Sequence, residues 1–145
     1  MGQQQLLLVI LVTIIVGIAT VVAINTFSAS AESANLDAAR QDAANIASSA
    51  QSFFLKPTLL GGGGQDFTNV TFRDITFASD SISTDGLTAL NANGVYILSG
   101  ANATQFTITV HPASRITGAP SLSSTSSNEM VGTVVADNFT WTDPN

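Results

Sequence analysis

Cysteine is absent from the chain. That excludes disulfides, thiolate nucleophiles and cysteine-ligated zinc, and it leaves the compartment open. Basic residues are almost as scarce. Arg40, Lys56, Arg73 and Arg115 stand alone against ten carboxylates, for a formal net charge of −6. Nothing clusters them into a patch that neutralises phosphates, so no nucleic-acid partner is expected for the lone subunit. The single histidine, His111, precedes Pro112 without the serine and aspartate context of a triad, and a structural role is expected of it. Asp80-Ser81-Ile82-Ser83-Thr84-Asp85-Gly86 has oxygen ligands at short spacing. Asn91 stands where an EF-hand needs its glutamate, so a polar loop is preferred to a weak calcium site. The expectation is a chain that is not an enzyme, with no cofactor and no metal.

Charge is missing altogether from the first 24 residues, and Leu6 to Ile24 is an apolar run interrupted only by Thr13, Gly17 and Thr20. As a helix this run is roughly 28 Å long, close to the hydrocarbon thickness of a bilayer. From Gln3 to Leu55 there is no proline and Gly17 is the only glycine, which predicts one continuous helix over about residues 3–55. Its second half is Ala-rich. There Leu36, Ala39, Ala43, Ile46, Ala50 and Phe53 recur at three- and four-residue steps, an apolar stripe suited to packing on a sheet of the same chain. The helix is expected to stop at Lys56, before Pro57.

Three readings compete for the apolar head. A cleavable signal peptide would use Ala29-Ser30-Ala31 and leave Glu32 as the new start, but its front end has no Lys or Arg and the apolar run is long for one. A plain single-pass anchor would insert favourably, yet the nearest base is Arg40, sixteen residues beyond the run, and orientation is poorly specified. In the third reading the head is buried first in lipid and later among copies of itself. Leu6, Leu7, Val9, Ile10, Thr13, Ile14, Gly17, Thr20, Val21 and Ile24 would then pack in a filament core. Thr13, Gly17 and Thr20 share one helical face. They form either a strip where a neighbouring helix approaches closely or scattered tolerances in a lipid-facing surface.

Gly2 followed by Gln3-Gln4-Gln5 and then Leu6-Leu7-Leu8-Val9-Ile10-Leu11 resembles the N-terminus of type IV pilin-like subunits, most of all those with a very short leader ending in glycine. The similarity covers about the first third of the chain. It implies a membrane peptidase cutting between Gly2 and Gln3, an assembly platform, residence in the cytoplasmic membrane before assembly, and then a homopolymeric extracellular filament. The chain departs from the common pattern in lacking a basic leader and an acidic residue early in the helix; its first carboxylate is Glu32. The leading expectation is therefore a structural filament subunit. The alternatives are a minor pseudopilin of a secretion or DNA-uptake system, and a monomeric single-pass membrane-anchored exported domain.

Residues 1–2 would be the leader, 3–28 the transmembrane or filament-core helix, 29–56 its amphipathic continuation, and 57–145 a β-rich surface-exposed domain. Gly61-Gly62-Gly63-Gly64 is expected to be a flexible connection, since no Lys-Ser or Lys-Thr follows to make it a phosphate loop. Beyond it, β-favouring runs are Phe67–Phe72, Ile75–Phe77, Val95–Leu98, Gln105–Val110, Met130–Ala136 and Phe139–Thr142. Residues 99–103 should form a hairpin loop and Asp137-Asn138 a two-residue turn. The predicted architecture is α+β: the long helix laid on an antiparallel meander of about four strands. Asn69, Asn102 and Asn138 head N-x-S/T sequons and are candidate glycosylation sites, although about two sequons are expected by chance in so Ser/Thr-rich a chain.

Overall fold

The computed structural model describes residues 2–142. Met1, part of the expected leader, and residues 143–145, the end of the expected β-rich domain, lie outside the described residues. The helix α1 runs Gly2–Leu55 and is followed by a short 3-10 turn, Thr58–Leu60. Six strands come next: β1 (Ser81–Ile82), β2 (Thr88–Asn91), β3 (Gly94–Ser99), β4 (Gln105–Pro112), β5 (Met130–Val135) and β6 (Phe139–Trp141). They form one antiparallel sheet in chain order, so the fold is α+β as the sequence predicts. The chain divides into two compact units, Met1–Ala34 and Asn35–Asn145.

In the second unit, the Ala-rich part of α1 lies on one face of the sheet. Ala39, Ala43, Ile46, Ala47, Ala50 and Phe53 are buried and Leu36 partly so, in one cluster with Tyr96, Leu98, Phe106, Ile108, Val110, Met130 and Val134. The alanines leave little bulk on the helix, and large side chains on the sheet fill the space. Register explains which strand residues take part. Tyr96 pairs with Val110 and Leu98 with Ile108, so their side chains share the helix-facing side, while Val95 pairs with His111 on the other side.

The sheet differs from the expectation in its first third. Phe67–Phe72 and Ile75–Phe77 are not strands, β1 lies within the expected polar loop of residues 80–86, and β2 lies outside every expected β run. Phe67, Val70, Phe72 and Ile75 are buried at steps of three and two rather than strict alternation. Local turns win over β propensity here. The Asp66 carboxylate accepts the Thr68 N–H at 2.7 Å, the Phe67 carbonyl accepts the Val70 N–H, and Thr71 Oγ1 donates to Asp74. Residues 67–77 are thus a covering loop whose aromatics enter the seam. Phe67 sits between Phe54 and Phe106, at centroid distances of 4.5 and 5.2 Å, and Phe77 meets Tyr96 edge-on at 5.1 Å. The β5–β6 turn is also displaced by one residue. Val134 pairs with Phe139 and the Val135 N–H bonds to the Asn138 carbonyl, which leaves Ala136-Asp137 as the two turn residues.

The four glycines are not a flexible connection. The chain turns back beneath the end of α1, and the N–H groups of Gly63, Gly64 and Gln65 donate to the carbonyls of Phe53, Lys56 and Phe54 at 2.8, 2.9 and 2.7 Å. Those carbonyls lie at or just past the end of α1, where helical acceptors run out of intrahelical donors. A Cβ on Gly62 would collide with the Lys56 carbonyl, and one on Gly63 with the Asp66 carbonyl and the Phe53 ring. The glycines are there for close approach, not for freedom.

One polar hub joins helix to sheet. Asp42 Oδ2 accepts from the Tyr96 hydroxyl at 2.8 Å, from Asn91 Nδ2 at 2.8 Å and from Asn93 Nδ2 at 2.7 Å. Asn35 continues the seam, donating to the Asn93 carbonyl and accepting the Ser114 N–H. Burial raises the Tyr96 pKa, and its bond to Asp42 raises it further, so the phenol stays a donor.

Asp42→Ala strands three donors at the seam and is expected to lower stability by about 2–4 kcal/mol, read by urea denaturation of the full chain in detergent. Arg40→Ala, which removes only an exposed pair with Asp37, should change it by less than about 1 kcal/mol. By the same measurement Gly63→Ala should cost about 1–3 kcal/mol, because the clash falls on backbone and an aromatic ring that cannot both move aside.

Candidate assembly surface

No residue from Gly2 to Ala31 is charged, and every residue from Gly2 to Ala34 is exposed. A helical side chain is covered only by its neighbours one turn away, so an apolar helix without a partner leaves each Leu, Ile and Val about half open to solvent. Leu6, Leu7, Val9, Ile10, Ile14, Val21 and Ile24 are all in that state, as is Phe27 at 77%. The α1 helix is long and apolar enough to cross a membrane.

The three threonine hydroxyls on this stretch bond within it. Thr13 Oγ1 donates to the Ile10 carbonyl at 2.8 Å, Thr20 Oγ1 to Val16 at 2.8 Å and Thr26 Oγ1 to Val22 at 2.9 Å. Back-bonded threonines present a methyl group outward and can enter lipid or a helix bundle without an unpaired hydroxyl. Thr13, Gly17 and Thr20 share one face, and beyond the adjacent residues and the helix's own nearby backbone nothing lies within 4 Å of where a Gly17 Cβ would stand. Gly2 and Gln3, the expected processing pair, are exposed at the start of α1.

A second apolar feature lies at the turn that follows α1. Leu55, Leu59 and Leu60 are 69%, 94% and 65% exposed at the turn held by the glycines. The Leu60 N–H and the Gly62 N–H both bond to the Pro57 carbonyl, and Gly61 to Thr58, so the leucines are displayed on a fixed scaffold. The signal was present in the Leu59-Leu60 pair between Pro57 and the glycines, where no helical or strand period could bury it.

Elsewhere several polar side chains brace turns and strands. All three sequon asparagines are exposed. Asn102 Oδ1 accepts the Thr104 and Gln105 N–H groups and the Thr104 hydroxyl, and Asn138 Oδ1 accepts the Phe139 N–H. The Asp85 carboxylate is engaged by the Ser83 hydroxyl and the Leu87 N–H, which hold the β1–β2 turn and draw its pKa down. Among the described residues no cluster of three or more His, Asp or Glu is placed to hold a metal.

His111 is buried on the sheet face away from α1. Its Nδ1 accepts the Ser126 N–H at 3.0 Å, so the proton sits on Nε2, which faces Glu129 Oε2 at 3.6 Å. Arg115 Nη1 donates to the Asn128 carbonyl at 3.0 Å. Together they pin the Ser/Thr-rich loop of residues 116–129 to the sheet. Burial lowers the His111 pKa, and Glu129 only partly opposes this. No protein-family model, curated protein or solved structure matches the chain.

The direction of that shift sets a pH dependence. Unfolded, His111 takes a proton near pH 6.5; folded, it resists until lower pH. Its contribution is therefore complete above about pH 6.5 and is lost as pH falls from there through the lowered folded value. Urea midpoints between pH 7.5 and 5 should decline for the unaltered chain and flatten in His111→Gln.

Proposed function

We propose that the chain is a structural, non-enzymatic subunit that polymerises through its apolar N-terminal helix into an extracellular filament of the type IV pilin-like kind. The observation that carries this reading is the helix itself. Leu6–Ile24 is exposed on all sides, uncharged, and free of unpaired hydroxyls. Such a surface has two shelters, lipid or copies of itself.

Several features favour the second shelter as the end point. No base lies near either end of the apolar run to fix a permanent orientation in the bilayer. The open face at Gly17, between Thr13 and Thr20, suits close helix–helix approach. Burial at roughly 25 cal/mol per Å2 supplies tens of kcal/mol per subunit before the entropy of association is subtracted. The subunit waits in the cytoplasmic membrane, a pilin-type peptidase cuts after Gly2, and an assembly platform moves the chain into the filament. The Asn35–Asn145 unit then forms the coat, wetted by hydroxyls and carrying little charge.

Electron micrographs of sheared cell-surface material, with peptide mapping, test this. The expected result is abundant thin filaments made of this chain and starting at Gln3. Ile14→Asp should abolish them, and Gly17→Leu should reduce them if the small-residue face is a contact. Soluble monomer starting at Glu32 would overturn the reading.

A further inference from the structure

The geometry points to the leucine tip, Leu55, Leu59 and Leu60, as a second assembly contact, seated on the exposed apolar helix surface of another copy of this chain. This rests on the filament reading and adds the residues by which the outer unit holds a neighbour. Among the described residues, the large hydrophobic side chains at least half exposed fall into two groups, this tip and the Leu6–Phe27 stretch of α1. The tip is not a floppy loop that can fold its leucines away. Backbone bonds from residues 60–65 fix it, and at Gly62 and Gly63 the chain lies too close to Lys56, Asp66 and Phe53 to admit a side chain.

Size argues for the occupant. Three leucines at these exposures offer roughly 400 Å2, half of what each side of a standard interface buries, so the tip cannot sustain a dimer alone. It can strengthen an assembly already held by helices. Chemistry argues the same way, because Gly2–Ala31 carries no charge to be stranded beneath an apolar contact. Contact between two different patches of identical chains is heterologous, and repeated head to tail it runs on into a ring or an open helical polymer, the latter being what a filament needs. Lys56, exposed beside Leu55, keeps its ammonium in water at the rim.

The cysteine-free chain allows a clean test in filaments from cells. Leu59→Cys is combined in turn with Val12→Cys, Ile15→Cys, Val22→Cys or Phe27→Cys, and intact filaments are oxidised and run without reductant. A ladder of covalent multimers is expected for at least one pair and for neither of its single variants. Leu59→Ser with Leu60→Ser, both at solvent-exposed positions, should still give filaments, which dissociate at lower detergent concentration. Filaments whose pairs link no more than a Leu59→Cys/Thr117→Cys control would overturn the contact while leaving the filament reading intact. Dimers from Leu59→Cys alone would overturn it too, because two tips would then meet. Absence of filaments from the unaltered chain would sink both.

Discussion

A helix surface without charge and without unpaired hydroxyls has no means of staying in water, and Leu6–Ile24 is such a surface. The molecule is arranged around that constraint. Polar chemistry is concentrated in the Asn35–Asn145 unit, where hydroxyls, amides and backbone meet solvent. The apolar demand of Leu6–Ile24 has to be met by something outside the chain.

The later part of the same helix solves a different problem. Its alanines let a six-stranded sheet approach closely, and the aromatic side chains of Phe67, Phe77 and Tyr96 enter the seam from loop and strand. Asp42 supplies direction to an otherwise greasy contact. Its three donors come from β2, the β2–β3 turn and β3, so a slip of the helix along the sheet would break all of them together. The glycine turn closes the helix end, where capping and close packing coincide.

Much of this was legible in residue patterns. The uninterrupted span before Pro57 marks the helix, and alternation in Phe106, Ile108 and Val110 marks the inner face of β4. What escaped did so for identifiable reasons. The runs at 67–72 and 75–77 have β-forming residues, but Asp66, Thr71 and Asp74 bend the backbone into turns. β1 and β2 have few apolar residues, and the Asp85-Gly86 turn between them was read as part of a polar loop. The glycine run suggested looseness because composition reports what a backbone can do, whereas Lys56, Phe53 and Asp66 decide what it does. Asp42 lies beside the apolar stripe, and its partners are 49 to 54 residues away, beyond any local period.

The back-bonded threonines bear on what the apolar stretch can offer a neighbour. Each hydroxyl proton is spent on its own helix, so Thr13, Thr20 and Thr26 have no donor left for another molecule and meet it chiefly through methyl groups. Against such a surface, shape and dispersion set the fit, not directed hydrogen bonds.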